Sequence, residues 1–191
     1  MNIYVDRPQF VLGFHGCEED TRDKILKSPK EHLRPSTNTY DWLGTGVYFW
    51  LNDPQRAMDW ATRKDKDGLQ KLKKPAVIGA IIDLKKCLNF AEYECTNILN
   101  EGYEIFKQNN NIENYHNNTP DDGGFNLIRP LDCAVINFTC ELFGKNSFDT
   151  VMGYFQESGT AFPGSDIRKK SHIQLCVRNK DCILGYFLPR E

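Results

Sequence analysis

The stretch Leu43-Gly-Thr-Gly-Val-Tyr-Phe-Trp50, followed at once by Leu51-Asn-Asp-Pro-Gln-Arg-Ala-Met-Asp-Trp-Ala61, decides how the rest of the chain is read. Two glycines permit a tight turn. The β-branched and aromatic run after them predicts a buried strand. Asp53-Pro54 then provides an N-cap residue and a first-turn proline, which predicts a helix. Strand alternation sets Tyr48 and Trp50 on one face. With Phe49 and Trp60 close by in sequence, the segment carries enough aromatic surface to serve as core or as the floor of a binding site.

Working outward, 191 residues predict one domain, 1–191, large enough to bury a core without metal or disulfides. No apolar run approaches the roughly 20 residues that span a bilayer. The first residues, Met1-Asn-Ile-Tyr-Val-Asp-Arg7, lack the basic and apolar segments of a secretory signal. A soluble, cytoplasmic protein with no membrane partner is expected. The cysteines at 17, 87, 95, 133, 140, 176 and 182 are odd in number and include no C-x-x-C pair. That pattern argues against a zinc site or a disulfide framework and for reduced, mostly buried thiols. A net charge of -2 gives no global attraction to nucleic acid. Basic clusters at 63–66, 71–74 and 168–170 read as solvated faces.

Residues 9–16, Gln-Phe-Val-Leu-Gly-Phe-His-Gly, are apolar on both faces and predict a central strand ending in His15-Gly16. A short helix is expected over 18–27, with Cys17, Thr21, Ile25 and Leu26 turned inward. A loop over 28–40 leads into the glycine turn, and the helix opened by Asp53 is expected to run to 66. Residues 76–84 read as a core strand, 90–107 as a helix and 108–126 as an exposed polar insertion. A helix over 131–142 ended by Gly144, a strand over 148–155 and a Gly/Ser/Pro loop over 157–166 follow. The strands 171–178 and 182–187 read as a terminal hairpin. Strands outnumber helices without βαβ alternation, so the class is α+β, with mainly antiparallel β-sheets flanked by helices.

Three of these pieces connect. Phe14-His15-Gly16, Gly44-Thr-Gly-Val-Tyr48-Phe49 and the late strand Ser171-His-Ile-Gln174-Leu-Cys-Val177 together resemble the NAD-dependent ADP-ribosyltransferase superfamily, in the branch of the poly-ADP-ribose polymerases and diphtheria toxin. That branch places His, Tyr and Glu on three strands. Here the third position is glutamine, which is similar to bacterial members with a His-Tyr-Gln set. The resemblance implies a split, mainly antiparallel fold and NAD as substrate. It also implies transfer of ADP-ribose to a macromolecular acceptor, protein or nucleic acid, often in a toxin or defence system with an inhibitory partner protein. It assigns His15, Gly16, Tyr48 and Trp60 to NAD binding and Gln174 and Tyr48 to catalysis, with no metal; Ser36, in the loop before the glycine turn, can bond ribose or phosphate and joins the binding set, and Glu157 joins the catalytic set as a source of charge. His172, two residues before Gln174 on the same face, is the alternative third residue.

The chemistry of these residue types suits that assignment. Aromatic rings stack on a pyridinium by π and cation-π contact. A glycine after the histidine allows close approach of backbone to a carboxamide, and an imidazole can bond a ribose hydroxyl. Cleavage of the nicotinamide bond passes through an oxocarbenium-like state that an anion stabilises. Gln174 brings no charge. Either Glu157 swings in from a flexible loop to supply it, or the protein is a binding module that holds NAD or ADP-ribose without chemistry.

Overall fold

The computed structural model describes residues 10–64, 67–120, 126–142, 144 and 147–190. In chain order the elements are β1 (Phe10–Glu18), α1 (Glu19–Lys27), β2 (Val47–Leu51), α2 (Pro54–Ala61), β3 (Pro75–Asp83), β4 (Cys87–Asn89), α3 (Tyr93–Asn109), β5 (Asn118–Pro120), β6 (Asn126–Ile128), α4 (Pro130–Leu142), β7 (Thr150–Phe155), β8 (His172–Val177) and β9 (Ile183–Phe187). Seven strands form one sheet in the order β4-β7-β8-β2-β1-β3-β9, while β5 and β6 pair separately. All pairs in the large sheet are antiparallel except β4–β7. The α+β class and the interior place of β1 are as expected.

The sheet has a weak seam. β1 pairs with β3 along its full length, Phe10↔Asp83 to Glu18↔Pro75, but with β2 only at Gly13↔Leu51 and Phe14↔Trp50. On the far side of the seam β2 pairs with β8 from Val47↔Val177 to Trp50↔Gln174. The sheet is therefore two half-sheets, β4-β7-β8-β2 and β1-β3-β9, joined over a short overlap.

Apolar burial on both faces holds these halves. Val47, Phe49, Ile78, Ile82, Leu175 and Val177 pack with Ile25 of α1 and Leu33. Leu43, Leu88, Val151 and Cys176 pack with Ile136 and Cys140 of α4. Phe14, Trp50 and Val77 pack on Ala57 of α2. Six cysteines are buried and Cys87 is partly so, all as free thiols. Burial pushes Cys17, Cys87 and Cys140 up to about 11, so they are protonated and inert at neutral pH.

Several expectations need correction. The strands 171–178 and 182–187 are not a hairpin: β8 has both edges occupied by β2 and β7, so β9 crosses to the free edge of β3. The helix opened by Asp53 stops at Ala61 instead of 66, because Thr62 leaves helical geometry and Lys64 bridges to Gln70. Thr21 and Leu26 of this short α1 are exposed; only Ile25 of the helix is buried, where it packs on the sheet core. Phe90 precedes α3 and belongs with the apolar cluster under α4. Part of the polar insertion 108–126 lies outside the described residues; the remainder is tied down. Tyr115 packs on Phe106, and Asn117 Oδ1 accepts from the N–H groups of Leu131 and Asp132 at the start of α4.

A polar cavity at the seam of the sheet

The seam opens because the ladder between β1 and β2 ends at Phe14↔Trp50. Past that point a side chain takes over: His15 Nδ1 donates to the Tyr48 carbonyl oxygen at 2.7 Å. A carbonyl only accepts, so the proton sits on Nδ1 and Nε2 is left as an acceptor. Burial depresses the His15 pKa, which keeps the ring neutral at physiological pH.

A cavity of about 570 Å³ lies here, and His15, Ser36, Tyr48, Trp60, Glu157 and Gln174 all line it. Residues far apart in sequence meet because β1, β2 and β8 are neighbours and because the segment after β7 folds back over α2. Trp60, on α2, is 39% exposed and lies 5.9 Å from Trp50 and 6.4 Å from His15, ring centre to ring centre. Its open face is free to stack on a planar ligand.

Tyr48 contributes its ring alone. Its hydroxyl accepts from the Leu43 N–H at 2.9 Å and donates to the Gly44 carbonyl at 2.6 Å. Burial raises its pKa far above the ordinary value, so it is not an acid or base at neutral pH. The turn it holds requires Gly44, whose φ is +76° and whose missing Cβ would lie 2.6 Å from Asn137 Oδ1. Asn137 Oδ1 in turn accepts from the Thr45 N–H and from Arg178.

Gly16 does not line the cavity. A Cβ there would lie 2.4 Å from the Ala57 carbonyl oxygen, so the glycine lets α2 pack directly on β1. Its main chain still bears on the seam. The Leu12 carbonyl accepts from the Asn52 N–H on the β2 edge, and strand alternation turns the N–H and C=O of Gly16 to that same edge, beyond the last paired position.

Glu157 is not a solvated loop residue. It is 4% exposed, accepts from Arg56 at 2.5 Å and pairs with Arg63 at 3.2 Å. Its own segment is fixed by the Thr160↔Arg168 bridge and by Lys170 N–H donating to the Glu157 carbonyl. Arg56 also binds Asp59, which Lys170 holds at 3.0 Å. His172 shares a face with Gln174, as alternation requires, but it is buried between Trp42 and Phe155 and sits behind Glu157 instead of on the cavity wall. Gln174 is the β8 residue that reaches the cavity.

Five buried side-chain atoms have no hydrogen-bond partner among the described residues: Asp41 Oδ2, Trp50 Nε1, Arg56 Nε, His172 Nε2 and Gln174 Oε1. Four of them belong to cavity-lining residues. Folded proteins rarely leave such atoms unsatisfied, so this wall of the cavity holds more unused hydrogen-bonding capacity than the rest of the described structure. Trp50 and Gln174 are directly opposed across β2 and β8. A donor beside an acceptor suits a hydroxyl group, which accepts from one and donates to the other.

Sequence reasoning missed Asp41, Trp42 and Arg56 as parts of the site. Trp42 is held by Nε1–H donation to the Leu127 carbonyl at 2.8 Å and by Arg129, whose guanidinium lies 4.0 Å from the centre of its ring. Arg56 carried no signal, because its carboxylate partner lies 101 positions away. No family model, curated protein or solved structure matches the chain.

Proposed function

We propose that this chain is an NAD-dependent ADP-ribosyltransferase with an ADP-ribosyltransferase-like split sheet, cleaving the nicotinamide–ribose bond and passing ADP-ribose to a macromolecular acceptor. One observation carries the reading. Six of the seven candidate site residues read from the sequence, from six separate segments, line one cavity at the seam between β1 and β2.

In this reading Tyr48 and Trp60 flank the nicotinamide ring, and the seam-facing main chain of Gly16 meets its carboxamide. His15 Nε2 accepts from one ribose hydroxyl. The Trp50 indole N–H and Gln174 Oε1 hold the other, satisfying two of the unpaired atoms. Incubation of the purified protein with NAD is expected to release free nicotinamide, and labelled NAD to mark either a protein or a nucleic-acid fraction. NAD binding without nicotinamide release would sink the transferase.

A binding module is the second reading, favoured by a specific feature. Gln174 is uncharged, and the Glu157 carboxylate is already neutralised by two arginines. Neither offers a free negative charge to an oxocarbenium ion.

A further inference from the structure

Two carboxylates line the cavity, Asp41 and Glu157. Glu157 is saturated by Arg56 and Arg63. Asp41 lies one residue before Trp42 in the turn that Tyr48 holds. Its Oδ1 accepts one long bond, 3.3 Å, from Asn38 Nδ2. Its Oδ2 is buried and has no hydrogen-bond partner, and Asp41 makes no ion pair among the described residues. A carboxylate on a cavity wall that no described cation pairs is an acceptor and a negative charge open to a ligand.

Its position is right for the task. Asp41 makes ionisation harder for both the Tyr48 phenol and the Cys176 thiol, although burial is the larger cause in each. Those two residues are opposed across β2 and β8, one pleat step from the opposed pair Trp50 and Gln174. Asp41, Tyr48, Trp50 and Gln174 all line the one cavity in which the proposed reading sets the ribose.

We propose that Asp41 is a catalytic residue that supplies the negative charge for nicotinamide–ribose cleavage, the part for which Glu157 is too fully paired. The inference rests on the ADP-ribosyl transfer reading. The bond from ribose C1′ to the pyridinium nitrogen breaks with its electron pair going to that nitrogen, so nicotinamide leaves neutral. The positive charge passes to the ribose C1′–O4′ unit, where the Asp41 carboxylate stabilises it. A lone pair of the acceptor O–H or N–H, or of water, forms the new bond to C1′. The acceptor proton passes to the Asp41 carboxylate and then to solvent.

The test is nicotinamide release from NAD by the full chain and its Asp41→Asn and Glu157→Gln variants. A charge that acts only on the transition state changes kcat and leaves KM alone. Asp41→Asn is expected to lower kcat by about 100-fold or more with KM within about twofold, and Glu157→Gln to lower it far less. Asp41→Ala, should it fold where Asp41→Asn does not, is expected to regain release on addition of formate. Wild-type kcat in Asp41→Asn, a loss confined to KM, or failure of formate to rescue overturns the role of Asp41 while ADP-ribosyl transfer stands. A wild-type protein that releases no nicotinamide overturns both.

Discussion

The cavity has two unlike walls. One is α2 with the segment from Glu157 to His172, where Arg56, Arg63 and Lys170 answer Glu157 and Asp59 in a closed network. The other is the 36–45 loop, where Asp41 has an oxygen that no described residue answers. The same functional group is a structural bolt on one side and an open charge on the other. Availability, and not residue type or nearness to a ligand, separates a catalytic carboxylate from a structural one.

The difference can be broken first at Arg56. Its guanidinium is 6% exposed, and Arg56→Met leaves Glu157 buried beside the partly exposed Arg63 alone. Unpairing one member of a buried ion pair costs about 3 kcal/mol or more, so the urea midpoint of unfolding is expected to fall sharply. An unchanged midpoint would mean that the Glu157 wall is not a bolt. Asp41→Asn sharpens the contrast from the opposite side. It removes the charge of a partly buried carboxylate that makes no ion pair among the described residues, and the unfolding free energy is expected to rise by up to about 1 kcal/mol, a gain of stability together with the loss of kcat. A loss of stability would place Asp41 among the structural carboxylates.

Acid should produce the smallest change. Burial holds His15 and His172 below the ordinary histidine value of 6.5. Between the folded pKa values and 6.5 the unfolded chain binds more protons, so this contribution is fully present above about 6.5 and is lost as pH falls through that window. A lower urea midpoint at pH 5.5 than at pH 7.5 is the expected outcome. His15 also loses its free acceptor when protonated, so NAD binding should weaken over the same range. Equal midpoints and equal binding at the two values would deny that either ring is kept neutral.

Local pattern made much of the frame legible. The strand alternation of Tyr48 and Trp50, the cap at Asp53, which accepts from the Arg56 N–H at 2.8 Å, and the apolar runs of β1 and β3 all act within a few residues of where they are read. His15, Tyr48, Trp60 and Gln174 were also within reach of the sequence as site candidates through the resemblance, and Ser36 and Glu157 through the chemistry of their residue types. Their geometry was not. The partner of β9 is β3 and not β8, because sheet edges are allotted by competition among strands distant in sequence.

By itself, then, the sequence determined the α+β class, the central β1 strand, the glycine turn with its aromatic strand, and the capped helix behind it. These follow from backbone sterics and hydrophobic periodicity, which are local. Only the tertiary structure decided that β1 and β2 part after Phe14, that Gly16 serves α2 packing, and that Glu157 has cationic partners while Asp41 has none among the described residues. Electrostatic state depends on which charges approach through space. Arg56 and Glu157 lie 101 positions apart along the chain and touch only once the sheet has brought them together.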